Sequence, residues 1–342
     1  MKKIMKQVAA IDVAQDELVV CLGRLDESLN KELFAHKTFG NDLKGFTDLV
    51  NWVKKLSVAG LGVRYVMEAT GVYHESLAYY LHEKKLEVSI VLPNKISNYA
   101  RTLEVKTVTD RTASEAIALF GLERQLDTWS RPAAIYLQMR QLTREKGQLL
   151  DERTVLKNQL HAELAGALPN KKSVERTQKR IALLTKQEKE IMEELKGLLK
   201  ADPAMKEMVK LLSSIPGIAT LTAATILAET NGFDLIRNKR QLTSYAGLDV
   251  KEKQSGTSVR GKSKISKHGN KKLRRALYMP ALAAIRCDER FKNIYARLVG
   301  KHGIKMKAAV AVQRRLLEMS YTIYKTGQPY DKQYLKKLGG NQ

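Results

Sequence analysis

Short apolar runs bounded by turn residues fill the first third of the chain. Residues 7–14, QVAAIDVA, predict a buried strand, and residues 18–23, LVVCLG, predict a second. The polar stretch AQDE turns between them. Residues 31–39 predict a third, less regular strand. From 41 to 56 the period changes from two to 3.6: Leu43, Phe46, Leu49, Val50 and Val53 share one face of a helix. Asn41 or Asp42 supplies its cap. A strand at 63–68, a helix over about 73–84 and a strand at 87–92 follow, and Pro93-Asn94 opens another helix. Strands in series, then helices and strands in alternation, predict a mixed α/β domain over residues 1–128.

Around Trp129-Ser130-Arg131-Pro132 the pattern turns helical. Leu142, Leu149 and Leu156 repeat at seven, and Val174, Ile181, Leu184, Glu188, Ile191 and Leu195 follow heptad spacing. GALPNKK breaks the two runs. They predict two long helices over 129–202, either an antiparallel hairpin packed on itself or a coiled coil that joins two chains. A third part, 203–342, is mainly α-helical. LLSSIPGIATLTAATILAE over 211–229 has the shape of a helix-hairpin-helix element, with Gly217 at the turn and backbone N–H groups free to face a phosphate. A plain helical turn fits the same letters. Residues 273–286 and 306–325 predict two further helices.

Charge separates these parts. Residues 1–128 hold 17 basic and 17 acidic side chains, so the net +24 lies entirely in residues 129–342. A polyanion is the expected partner, because Lys and Arg release counterions from phosphates. No apolar run of about eighteen residues is present, so no membrane span is expected. The basic start MKKIMK is followed by too short an apolar segment, broken by Asp12, to be a signal peptide. Cys21 and Cys287 lie far apart with no CxxC, which fits a reducing cytoplasm and excludes a zinc site.

Three acids stand out. Asp12 interrupts an apolar strand, Glu68 ends another, and Asp110 heads a helix in KTVTDRTASEAIALF. A carboxylate inside an apolar strand is costly unless it binds something positive. Acids so placed match a ribonuclease-H-like nuclease site, in which Mg²⁺ ions held by carboxylates clamp the attacking and leaving oxygens of a phosphodiester. An actin-like fold also opens on an Asp-bearing hairpin, but it needs a Gly-rich phosphate loop that IDVAQDELVV lacks.

The second candidate is the run QSGTSVRGKSKISKHGNKKLRR at 254–275, with eight Lys or Arg, one His and no acid. Arg260, Lys262, Lys264, Lys267, His268, Asn270, Lys271, Lys272 and Arg274 are its candidate nucleic-acid contacts. Ser255 at its entrance is read in two ways: a loop hydroxyl that hydrogen-bonds phosphate, or a nucleophile whose pentavalent intermediate the cations stabilise.

Together these residues resemble the DEDD transposases of the insertion sequence 110 family, recombinases guided by a bridge RNA. AAIDVAQDELVV, VMEATGVYH and KTVTDRTASEAIALFGL resemble its Holliday-junction-resolvase-like domain. SIPGIATLTAATILAE, the long QSG run and the closing GQPYD resemble its transposase domain. The resemblance implies that Asp12, Glu68 and Asp110 bind metal and that Ser255 joins covalently to the DNA phosphate. It implies donor and target DNA and a non-coding guide RNA as partners, in a dimer or tetramer whose composite site takes acids and serine from different subunits. It implies a bacterial or archaeal cytoplasmic location at the nucleoid. One position departs from the pattern: TDRTASEA places Ala113 where the family carries a fourth acid. Glu115 or Glu104 could substitute, and Ser114 could hold a metal-bound water. Two rival functions stay open: a metal-dependent junction nuclease without a serine step, and a non-catalytic nucleic-acid scaffold.

Overall fold

The computed structural model describes residues 3–69, 71–103, 109–234, 236–251, 254–255, 259–260 and 264–333, with backbone alone at 254–255 and 259–260. The chain divides into two compact units, Met1–Arg131 and Pro132–Gln342.

The first unit is a five-stranded sheet with helices on both faces. In chain order come β1 (Ile4–Val13), β2 (Glu17–Asp26), β3 (Lys31–Gly40), α1 (Leu43–Leu56), β4 (Val63–Glu68), α2 (Glu75–Glu83), β5 (Glu87–Val91), α3 (Pro93–Ala100) and α4 (Asp110–Glu123). The strand order is β3-β2-β1-β4-β5. β1, β2 and β3 pair antiparallel, and β4 and β5 continue the sheet in parallel with β1. This mixed order, an antiparallel meander extended by parallel strands, is ribonuclease-H-like. The central strand β1 is covered twice, so it reads as a continuous apolar run. Its odd residues Ala9, Ile11 and Val13 pack with Phe46, Leu49, Val53 and Leu77 from α1 and α2. Its even residues Val8 and Ala10 pack with Ile117, Ala118 and Leu122 from α4. A fully buried Leu or Ile contributes about 1.5–3 kcal/mol, so these two layers hold the unit. Gly121 lets α4 approach the sheet, since a Cβ there would lie 3.0 Å from Val8 and 3.1 Å from Val66. Asp42 caps α1, accepting from the Gly45 N–H, whereas Asn41 donates to the Ala14 and Tyr73 carbonyls. Leu43, expected on the buried face of α1, is 69% exposed because it sits in the first turn, beyond the sheet edge of the core.

The second unit is helical: α5 (Ala134–Ala165), α6 (Lys171–Ala201), α7 (Pro203–Leu212), α8 (Thr220–Thr230), α9 (Lys239–Tyr245), α10 (Lys271–Cys287), α11 (Glu289–His302) and α12 (Lys305–Thr326). α5 and α6 pack as a hairpin turning at 166–170. Of the heptad positions, Leu142, Leu184, Glu188, Ile191 and Leu195 are buried, while Leu149 and Leu156 are half-buried. Glu188 lies in the seam, paired with Arg153 at 2.9 Å and Lys146 at 3.6 Å from α5. Leu168 at the tip is 95% exposed, and Leu164, Val155 and Leu183 are also exposed.

The base of the hairpin joins a core built around Leu195, Leu212, Ile226, Leu227, Leu242, Leu273 and Leu316. The turn between α7 and α8 packs closely on α10. Gly217 has φ +86, and a Cβ on it would lie 2.3 Å from the Pro280 carbonyl. Helices α9 and α11 were not expected from the sequence. α9 spans only seven residues, and α11 fully buries Phe291 with Ile294 and Tyr295 partly buried against the core. The GQPYD segment straps this core: the Tyr330 hydroxyl donates to Asp288 at 3.0 Å and its N–H to the Ser214 hydroxyl at 2.8 Å. No helix among the described residues is long and apolar enough to cross a membrane.

Candidate active site

The sheet register brings the N-terminal acids together. β1 and β4 run parallel, with Ile11 beside Met67, so the next pair along the register is Asp12 and Glu68. Both lie one step past Ala10 and Val66, on the face that α4 covers. Their carboxylates stand at the C-terminal ends of parallel strands, where α/β sheets open to ligands. Asp110 is the first residue of α4. The Thr109 side chain accepts from the Thr112 N–H, and the Thr112 hydroxyl accepts from the Thr109 N–H, a reciprocal cap that fixes this turn.

Asp12 lies within electrostatic reach of the other two acids. Burial, then the charges of Asp110 and Glu68, push the Asp12 carboxyl from its ordinary 3.8 up to about 6; a hydrogen bond from the Val13 backbone opposes them. A cation would relieve the same repulsion. Among the described residues no three His, Cys, Asp or Glu side chains converge closely enough to enclose an ion as they stand. Carboxylates on adjacent parallel strands, with a third at the start of α4, are oxygen donors of the kind a hard divalent cation takes.

Of the candidate substitutes for the missing fourth acid, the two described residues have other partners. Glu115 is engaged elsewhere: its Oε1 lies 3.1 Å from His36 Nε2 on β3 and accepts from Arg111 Nε at 3.3 Å. Ser114 is fully buried and donates to the Arg111 carbonyl at 2.7 Å. Glu104 lies outside the described residues.

The serine segment belongs to the second unit and is built from very short ladders. β6 (Val250–Lys251) pairs with β9 (Lys264–Ile265), and β7 (Gln254–Ser255) pairs with β8 (Val259–Arg260). Ser255 is thus opposite Val259 on a backbone hairpin. Lys262 lies outside the described residues, and of Arg260 only the backbone is described. Backbone bonds from Ser266 to Asp249 at 2.8 Å and from Lys267 to Gly247 at 3.1 Å close the root of the segment. Lys264, Lys267, His268 and Lys271 are exposed, and Lys272 is half-buried. Asn270 and Arg274 have internal partners. Asn270 caps α10, accepting from the Lys272 and Leu273 N–H groups, and its amide donates to Glu229 at 2.7 Å. Arg274 donates to the Ala246 carbonyl at 2.8 Å. Sequence reasoning missed Glu229, although an acid closing the apolar helix TILAET was a visible signal.

Comparison with known proteins now bears on both halves. The model described as "Transposase IS116/IS110/IS902 family" matches residues 209–296. The transposase model for DEDD enzymes of IS110 elements matches residues 9–169. The chain belongs to the IS110 family of DEDD transposases. Members of this family are enzymes that act on DNA, and the DEDD class depends on a divalent metal. The IS110-family chain is 26% identical to the "Pilin gene-inverting protein" of Moraxella bovis over 328 residues, 96% of this chain and 98% of the relative. It is 28% identical to the "Insertion element IS110 uncharacterized 43.6 kDa protein" of Streptomyces coelicolor, over 40% of this chain and 33% of that one. Among solved structures, Thermus thermophilus RuvC in complex with a Holliday junction substrate matches 36% of this chain and 99% of its own, with 10% identity and a TM-score of 0.28. At that score the likeness carries no argument, and the ribonuclease-H-like description of the transposase rests on its strand order.

Proposed function

We propose that this transposase cuts and rejoins DNA with Asp12, Glu68 and Asp110 at a Mg²⁺ site and Ser255 as the nucleophile, guided by a bound RNA. The observation that carries the reading is the parallel register that sets Asp12 beside Glu68, with Asp110 opening α4, and the raised Asp12 carboxyl agrees with it. Three acids from distant parts of the sequence, mutually repelling at the mouth of a ribonuclease-H-like sheet, suit an electrophile-binding site. When bound, the cation supplies Lewis-acid stabilisation of phosphate oxygens.

The serine step conserves the phosphodiester. The Ser255 hydroxyl oxygen forms a bond to phosphorus as one sugar–oxygen bond to phosphorus breaks, and the serine proton ends on the departing sugar hydroxyl. Attack by a hydroxyl from another strand reverses the step and frees Ser255. The Moraxella bovis relative is named for inverting a gene, an outcome that needs rejoining as well as cutting. That favours strand exchange over simple hydrolysis. The exposed side chains of Lys264, Lys267, His268 and Lys271 suit phosphate backbones, which position a nucleic acid but carry no sequence information. With aromatics at only 6% of residues, base pairing by a guide RNA is an economical source of site choice.

The test has two parts. RNA that co-purifies under mild salt is sequenced, and one discrete species from beside the gene is expected. A duplex spanning the end of the element is then incubated with Ser255→Ala and with Asp12→Asn. Both are expected to bind DNA and to give no strand exchange. Full exchange by Ser255→Ala would remove the serine from the reaction.

A further inference from the structure

A carboxylate the reaction does not use lies at the centre of the second unit. The Glu229 side chain, on the last turn of α8, is 1% exposed. Arg144 on α5 donates to both of its oxygens, at 2.7 and 2.9 Å, and Asn270 donates to one of them at 2.7 Å. The surrounding backbone is tied in as well. The Tyr245 hydroxyl donates to the Glu229 carbonyl at 2.8 Å, and Arg140 Nε donates to the Ala228 carbonyl at 3.0 Å. Burial alone would raise the Glu229 carboxyl, but the bonds from Arg144 and Asn270 outweigh it and hold the group below the ordinary range.

The two side chains that hold the carboxylate come from different segments. Arg144 stands near the base of the α5–α6 hairpin, and Asn270 stands where the serine segment enters α10. The Asn270 N–H also donates to the Tyr245 carbonyl at 2.7 Å, so both edges of the segment's root meet at Glu229. Stability alone gives little reason to keep such a group, because a buried ion pair is often replaced by apolar residues without loss. A bidentate fork contributes orientation.

We infer that Glu229 is a positioning residue for strand exchange, which through Arg144 and Asn270 sets the root of the Ser255 segment against the base of the hairpin. This rests on Ser255 being the nucleophile.

The full chain, with its co-purified RNA, is given a duplex spanning one end of its own element. Covalent protein–DNA adduct is followed in a single turnover at saturating DNA, and the DNA Kd is measured separately. Glu229→Gln is expected to slow adduct formation at least tenfold with Kd changed less than twofold. Arg144→Ala leaves the Glu229 carboxylate buried with Asn270 as its remaining side-chain donor, a strongly destabilising change, so its fold is verified by circular dichroism before the rate is read. It should slow the step by a similar factor, and the double variant should be no slower than either single one, since both cut one link. A wild-type rate for Glu229→Gln, or for Arg144→Ala if the first variant does not fold, overturns the inference. So does a double variant slowed by the product of the two factors, or a loss seen in Kd instead of in the rate. Ser255→Ala, run alongside, separates the two readings. No adduct from it upholds the serine, whatever Glu229→Gln does, whereas adduct at the wild-type rate overturns the serine and with it this role for Glu229.

Discussion

The two units encode their sites in opposite ways. In the first, Asp12, Glu68 and Asp110 are separated by dozens of residues and meet only because β1 and β4 run parallel in one register and α4 begins beside them. In the second, the candidate nucleophile and its cations form one unbroken run at 254–275, on backbone ladders of two residues each. The charge follows the same division, balanced over 1–128 and carrying all of the +24 beyond it. A site assembled by fold depends on every layer of the core beneath it. A site written as a contiguous run depends on how its two ends are anchored, which gives the closed root at 247–270 its importance.

The largest expected effects test whether both sites serve one reaction. Asp12→Asn and Ser255→Ala should each reduce strand exchange by about a thousandfold or more, to background, while DNA binding changes little. The check is a strand-exchange assay beside a binding titration. Retention of DNA cutting by Ser255→Ala alone would split the two units into separate activities. Next in size is Gly217→Ala. Its φ of +86 and the 2.3 Å approach to the Pro280 carbonyl leave no room for a Cβ. The second unit should lose roughly 2–4 kcal/mol in chemical denaturation. Hydrogen exchange in β1 should stay unchanged, because the first unit has its own core.

How much was legible follows from the same division. The five strands and the helices α1 to α4 could be read because each apolar run has a clear period and a turn at its end, and the acids were visible as interruptions of those runs. Helix α9 was not, because seven residues that bury only Leu242 and Thr243 leave no period to read; α11 went unread although Phe291, Ile294, Tyr295, Leu298 and Val299 follow a helical period. The short ladders around Ser255 were also hidden, since Gly, Ser and Lys carry no strand signal. The internal partners of Asn270 and Arg274 were not legible, for a physical reason. In a basic run every polar side chain suggests phosphate, and only the fold shows that Asn270 faces Glu229 and Arg274 faces the Ala246 carbonyl. Conversely, Glu188 in a heptad position was legible as a seam residue, but its pairing with Lys146 and Arg153 required the facing helix.

A pH series sharpens the comparison by isolating the acid cluster. In the metal-free chain the Asp12 carboxyl sits near 6 when folded and near its ordinary 3.8 when unfolded. Between about pH 4 and 6 the folded state binds the proton more tightly, so stability falls as pH rises through that window. Above about 6 both states are ionised and the penalty is constant; below about 4 both are protonated and it is absent. Asp12→Asn removes the penalty. It should therefore raise the melting temperature of the metal-free first unit at pH 7 and leave it unchanged near pH 3.5. Added Mg²⁺ should reverse the order at pH 7 by stabilising the native chain alone. A difference that does not vary with pH would mean that Asp12 is not coupled to its neighbours in solution.

The smallest effect separates the position of an acid from its charge. Thr109 caps α4 through its side chain, and the next residue is Asp110. Thr109→Ala removes one side of a reciprocal cap and should cost about 1 kcal/mol, a few degrees in the melting of the first unit. The carboxylate itself is untouched, so its intrinsic affinity for a cation is retained. Its place is not, because the first turn of α4 frays without the cap. Strand exchange should then fall several-fold at low Mg²⁺ and recover as Mg²⁺ is raised, since binding of a cation draws the frayed turn back. Thr109→Ser keeps the hydroxyl and should match the native chain throughout. Loss of exchange that saturating Mg²⁺ does not restore would mean that α4 positions something other than Asp110. Unchanged exchange would mean that Asp110 acts from an unfixed turn, which would make the first site less dependent on its fold than the second is on its anchors.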